Sequence, residues 1–190
     1  MRNELAKWRK LAESTDGGTA PRAKTAERKN RDMQVDHVLL IAAGIGIVAG
    51  LRALTAPAAV SWAAHLGWLH LQDSHLWFMG SAIAVAILSL AAAAEYVNDK
   101  LPKTPSRTAP PSFIIRVLVG GFCGVCVCAS AGESLIAGGL LGATGAVIGT
   151  LGGYQLRTRL VKATGLKDLF VAIPEDLIAL GLGFSILSVG

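Results

Sequence analysis

Long apolar blocks, each about the length that crosses a bilayer, alternate along this chain with clusters of Lys and Arg. That alternation limits the possible folds more than any other feature. Of the 18 Lys and Arg residues, only Arg52 lies well inside an apolar block. The others fall in the N-terminal segment, in linkers, or within a few residues of a block's end. Charged residues make up 16% of the chain, against about 25% in soluble domains. The pattern predicts an all-α, polytopic transmembrane helix bundle.

Five blocks are expected to cross. They run from Val38 to Ala64, Leu76 to Val97, Phe113 to Ala131, Ser134 to Tyr154, and Leu169 to Val189. The first is longer than the roughly 20 residues one crossing needs. It also contains Pro57, so a kink or break is expected between Leu54 and Pro57. Thr55 is a candidate cap for a helix restarting at Ala56. Residues Ala56–Leu71 are then a tilted continuation or a re-entrant piece at the outer side.

The connections alternate in charge. The N-terminal segment is rich in Lys and Arg, the His65–His75 loop has none, and Lys100, Lys103 and Arg107 follow the second block. The turn at Gly132–Glu133 has none, and Arg157, Arg159, Lys162 and Lys167 follow the fourth block. The positive-inside rule then places the N-terminus in the cytoplasm and the C-terminus outside, in a bacterial inner membrane. Trp68 and Trp77 fit an aromatic belt at the outer boundary.

Residues 1–36 carry nine Lys/Arg and six Asp/Glu. Such a segment is too polar to bury a core, and it is expected to be a largely disordered cytoplasmic tail. Within it, residues 3–13 offer a short amphipathic face and residues 14–31 look like a flexible linker. Beside a membrane block, basic charge points to anionic lipid rather than nucleic acid. The first apolar run comes after a long charged leader, so it is expected to be retained as an anchor. Residues 37–190 form the expected transmembrane domain.

The fourth block carries Gly138, Gly142, Gly145, Gly149 and Gly152, spaced four, three, four and three apart. This is one seam along a helix, where small residues let backbones approach closely. Gly46, Gly50, Gly120, Gly121 and Gly124 are candidate partners. The seam can pack within one chain or in a homo-oligomer.

Charges inside the apolar blocks are the candidate functional groups. Counting helix rise from Val38 places Arg52 about 20 Å from the inner surface, in the outer half of the bilayer. Glu95 and Asp99 share a helix face at the end of the second block. Glu175 and Asp176 come after Pro174 near the start of the fifth, the composition of a helix start. These four acids are expected to form a cytoplasm-facing group that binds an ion or small solute. Arg116 lies at the same expected depth and is the candidate structural ion-pair partner of Glu95 or Glu175.

His65, His70, His75 and Asp73 gather at the outer side, but spacings of five do not align them on one helix face for a metal. Cys123, Cys126 and Cys128 share one apolar block and suit small buried residues as well as a soft metal. Ser61 and His65 lack a local orienting acid, and no Gly-rich loop is followed by Gly-Lys-Ser/Thr. No enzymatic activity and no cofactor are expected.

Two stretches, Gly50-Leu-Arg-Ala-Leu-Thr-Ala-Pro57 and Glu95-Tyr-Val-Asn-Asp-Lys-Leu-Pro-Lys-Thr-Pro-Ser-Arg107, together with Pro174-Glu175-Asp176, resemble elements of a family of small multi-pass membrane proteins. That family is known only as a domain of unknown function. The resemblance runs from about Asp36 to Gly190. It implies the membrane class and marks Arg52, Glu95, Asp99, Lys100 and Glu175 for test, but it implies no activity. The leading expectation is a transporter or channel for a small ion or solute. The alternatives are a non-transporting scaffold or partner-binding subunit and, more weakly, a lipid-handling protein.

Overall fold

The fold is that of a computed structural model, which describes residues 20–98 and 110–164, and, within the last helical stretch, Gly181, Gly183, Ser185 and Leu187. Asp99, Glu175, Asp176 and the 3–13 segment lie outside the described residues. All regular structure among the described residues is helical. Among the described residues, ahead of that last stretch, five α-helices come in order: α1 (Ala20–Leu51), α2 (Thr55–His65), α3 (Ala82–Asn98), α4 (Pro110–Ser130) and α5 (Leu135–Thr164). A short 3-10 turn, Trp77–Gly80, precedes α3. Contacts divide the chain into a leading unit, Met1–His37, and a compact unit, Val38–Gly190.

Among the described residues, three helices are long and apolar enough to cross a membrane: Lys29–Leu51, Pro110–Ser130 and Leu135–Leu156. Ala82–Val97 is a shorter apolar helix. The chain is therefore a membrane-embedded helical protein. Residues 20–31, expected as part of a flexible linker, belong instead to α1. Pro21 sits in the first helical turn, where its missing N–H is harmless, and Ala, Lys, Arg and Glu after it are strong helix formers.

The other helix boundaries reflect local chemistry. Ser81 Oγ accepts the N–H of Ala84 at 3.1 Å and caps α3. Ser134 Oγ accepts the N–H of Ala137 at 3.4 Å at the start of α5. Between α4 and α5 the chain turns at Gly132, whose φ of 70° suits glycine. There the N–H of Glu133 reaches back to the carbonyl of Cys128 at 2.9 Å.

α4 and α5 form an antiparallel hairpin in near backbone contact. A β-carbon placed on Gly138 would strike Gly124 and Cys128, and one on Gly142 would strike Gly120 and Gly124. α1 packs on the same face of α5, running parallel to it. Gly46 meets Gly142, while Gly50 meets Ala146, Gly149 and Thr150. The glycine seam therefore packs three helices within one chain. Gly152 is the exception: it is exposed, with nothing within 4 Å of a β-carbon there. It lies beyond the level of Gly50, where α1 stops.

α1 and α2 do not form one crossing with a tilted continuation. The helix stops at Leu51 and the chain doubles back through Arg52, Ala53 and Leu54. Side-chain atoms of Val48 and Ala59 lie 3.7 and 3.5 Å from the β-carbon position of Gly183. On a continuous helix these two residues would stand about 16 Å apart along the axis. Gly50 and Leu51 lie at Arg116, near the start of α4, whereas the N–H of His70 reaches Ser130 Oγ, at its end, at 3.1 Å. α2 is tied to the 3-10 turn and to α3 by Ser61 Oγ to the Met79 carbonyl at 2.6 Å and by Trp62 Nε1 to Ser89 Oγ at 3.1 Å. His65 Nδ1 lies 2.9 Å from the Gly80 carbonyl.

Three passes therefore separate Val38 from the end of α3. The charge alternation had required an even number. The Val38 end of α1 points toward the Ser130–Leu135 turn. The end of α3 and the start of α4 lie at the opposite end of the bundle.

Gly142→Ala forces its methyl into the backbone of α4 at Gly120 and Gly124, contacts that neither helix can relieve by a side-chain rotation. Overpacking of this kind costs about 1–3 kcal/mol. The expected outcome is a melting temperature in detergent several degrees lower for Gly142→Ala. Gly152→Ala should be unchanged or slightly raised, through helix propensity alone.

Candidate functional site: the interrupted helix

A helix that stops inside an apolar core leaves carbonyls unpaired at one end and N–H groups unpaired at the next start. In lipid these groups have no water to bond to. Here the break at Arg52–Leu54 meets them with two charged side chains from other helices.

Arg116, 4% exposed on α4, donates from Nη1 to the carbonyls of Gly50 at 2.8 Å and Leu51 at 2.7 Å. Its Nε lies 3.4 Å from Ser112 Oγ. A guanidinium at the C-terminal end of α1 also suits the negative end of the helix dipole. Thr150 Oγ1 on α5 lies 3.1 Å from the Gly50 carbonyl and 2.8 Å from the Ala146 carbonyl of its own helix, so its one proton is shared between them.

Glu95 on α3 does the complementary work at the start of α2. Its Oε1 accepts the N–H of Ala53 at 2.9 Å and its Oε2 accepts the N–H of Leu54 at 2.8 Å. This is a cap supplied from a residue 41 positions away in sequence. The expected local cap, Thr55, makes no such bond, and Leu54 holds the N-cap position without a side-chain bond of its own. A carboxylate at a helix N-terminus is favoured by the dipole as well. Pro57 sits in the first turn of α2, so it interrupts nothing.

Glu95 and Arg116 also face each other, with Nη2 of Arg116 3.9 Å from Oε1 of Glu95. That separation is an ion pair without a short hydrogen bond. The hydrogen bonds that each group makes to the broken backbone are shorter, 2.7 to 2.9 Å.

Arg52 joins the same cluster. It is 5% exposed and its guanidinium carbon stands 4.9 Å from the centre of the Tyr96 ring, a cation–π contact. The sequence had placed Arg52 in the outer half, away from Glu95. The structure brings both to one level, because α1 and α3 run the same way and each reaches that level near its end. Arg52 and Glu95, expected at different depths, stand at one level. Of the expected acidic group, Glu95 is the described member.

Elsewhere, Asp73 and His75 are exposed and no group of three or more metal-ligating side chains is assembled among the described residues. Cys123, Cys126 and Cys128 are buried free thiols in α4. Thr150 is the contributor that the sequence did not single out. Its only sequence signal was a hydroxyl beside Gly149 on the seam.

The match to known families covers this whole arrangement. The chain belongs to the DUF4126 family. That family, described as a domain of unknown function, matches residues 39–189, so the interruption, Glu95, Arg116 and the α4–α5 hairpin all lie within the family domain. No curated protein and no solved structure gives a significant match to the chain.

Removing either cap should expose the same turn. Glu95→Gln leaves one N–H facing a donor, and Arg116→Gln strips two carbonyls, each at about 1–3 kcal/mol. Because both hold one turn, their effects should not add. The double variant is expected to lose less stability than the two single losses combined, by about 0.5 kcal/mol or more. Additive losses in a detergent unfolding cycle would show that the two caps act separately.

Proposed function

We propose that this protein moves a small ion or solute across a bacterial inner membrane, and that the α1–α2 interruption is its working part. The observation that carries this reading is the capping of a core helix break by side chains rather than by backbone. Membrane transporters place their ion and substrate sites at discontinuous helices, where free helix ends face charge. In this chain Glu95 and Arg116 stand where such a ligand's charges would stand. A break held by side chains can be released and re-formed, whereas a continuous helix cannot be.

The end of the bundle where α3 ends and α4 begins, with Arg116 and the Arg157–Arg159 end of α5, faces the cytoplasm in this reading, by the positive-inside rule; the sequence between those two helices carries Lys100, Lys103 and Arg107. The loops at the other end, residues 66–76 and 131–134, carry no Lys or Arg. α1 then reaches the bundle from the outer end, a revision of the cytoplasmic start expected from the tail's charge. Asp73→Cys should react with a membrane-impermeant maleimide in intact cells, and Lys103→Cys only after the membrane is opened. The reverse pattern would overturn this orientation. Lipid surrounds the bundle, and we infer neither enzymatic chemistry nor a nucleic-acid partner.

A second reading is a non-transporting scaffold, in one copy or as a homo-oligomer. It draws on Glu95 having both oxygens occupied and on the three-helix glycine seam. Purified protein in liposomes separates the two. The transport reading expects flux of at least one member of a panel of small ions and solutes, reduced in Glu95→Gln. A folded wild type that passes none of them supports the scaffold.

A further inference from the structure

Glu95 bonds to the turn in a way that only its charged form can sustain. Two N–H groups, from Ala53 and Leu54, each take one carboxylate oxygen. A protonated carboxyl has one good acceptor, its carbonyl oxygen, and its hydroxyl is a donor. Two donors facing one acceptor leave a backbone N–H unpaired in the core. A proton and the start of α2 therefore compete for the same two oxygens.

The Glu95 side chain is 12% exposed and Arg116 beside it is 4% exposed. Among the described residues the charged group facing it is Arg116 from α4, at 3.9 Å, while Arg52 of the turn stands over Tyr96, the next residue of α3. α5 contributes the Thr150 hydroxyl on the Gly50 carbonyl, which does not titrate. The other described acids of the Val38–Gly190 unit, Glu133 and Asp73, belong to connections at the Ser130 end.

We propose that Glu95 is a proton-binding site and that the proton is the ion coupled to movement of the α1–α2 turn. The proposal rests on the transport reading above and names its coupling ion. The cycle balances simply. A proton from water adds to one carboxylate oxygen, and the N–H that this oxygen accepted is released. The turn loosens. When it re-forms, the O–H bond breaks, the proton returns to water, and both N–H bonds close again. No redox partner and no second reactant are needed. Arg116 keeps its carbonyl contacts through the cycle and holds the end of α1 while the start of α2 moves.

The test is an infrared titration of the full chain in proteoliposomes, from neutral to acid pH, with the glutamate carboxyls isotopically labelled. The expected result is a protonated-carboxyl band that appears together with an amide I change and is lost in Glu95→Gln. Glu95→Asp guards against a variant that does not fold, since it moves the band out of the labelled set while keeping a carboxyl in place. The same vesicles, loaded with a pH dye, should show acid-driven proton uptake that falls to background in Glu95→Gln. A titration with no Glu95-dependent band overturns the proposal. So does flux of an ion or solute that is indifferent to the pH gradient, although that result leaves the transport reading intact. A Glu95 band coupled to the amide I change, with no flux of any kind, supports the proton site and removes the transport reading instead.

Discussion

A broken helix in a lipid environment must find partners for its own backbone, and the rest of this bundle is arranged around that requirement. An unpaired peptide group there costs several kcal/mol. The break at Arg52–Leu54 is answered by a cation at the carbonyl end and an anion at the N–H end, each matched to the local helix dipole. α3 and α4 must therefore approach the turn closely enough to deliver Glu95 and Arg116. The charges are held by the backbone as much as by each other, consistent with their 3.9 Å separation.

The glycine seam is what allows the approach. Gly138 and Gly142 bring α5 against α4, while Gly142, Gly145 and Gly149 bring α1 against α5. Gly50, where α1 ends, is packed on Ala146 and Thr150 while its carbonyl receives Arg116. Side chains of ordinary size at these positions would push α1 away from α4 and out of reach of the guanidinium. Packing without a hydrophobic driving force thus sets the geometry of the polar cluster.

Much of the helical architecture was legible in the sequence, and the site was legible only in pieces. The spacing of Gly138 to Gly149 on one face announced the close packing, and Arg116 stood out as a charge near the start of an apolar block, at the depth expected for Glu95. What misled was depth. Counting residues from Val38 carried Arg52 away from Glu95, because the charge alternation had put Val38 and the end of α3 on one side. The returning pass of α2 reverses that relation, and nothing local announces it. Pro57 drew attention three residues too late, since a proline in a first helical turn is tolerated. A cap supplied from 41 residues away leaves no local motif at all, so Thr55 looked the better candidate. Asp99, Glu175 and Asp176 fall outside the described residues, and their expected part in the acidic group stands on the sequence.

The turn between α1 and α2 depends on Glu95 holding the start of α2 through the N–H groups of Ala53 and Leu54. Residue-resolved amide hydrogen exchange in detergent or nanodiscs measures those two groups directly. Both should be protected in the wild type, and Glu95→Gln should speed their exchange by about tenfold or more, the effect of losing roughly 1.4 kcal/mol or more of hydrogen bonding. Amides in the α4–α5 hairpin should keep their rates. Equal protection of Ala53 and Leu54 in wild type and variant would refute the capping role, because something other than Glu95 would then be holding the turn.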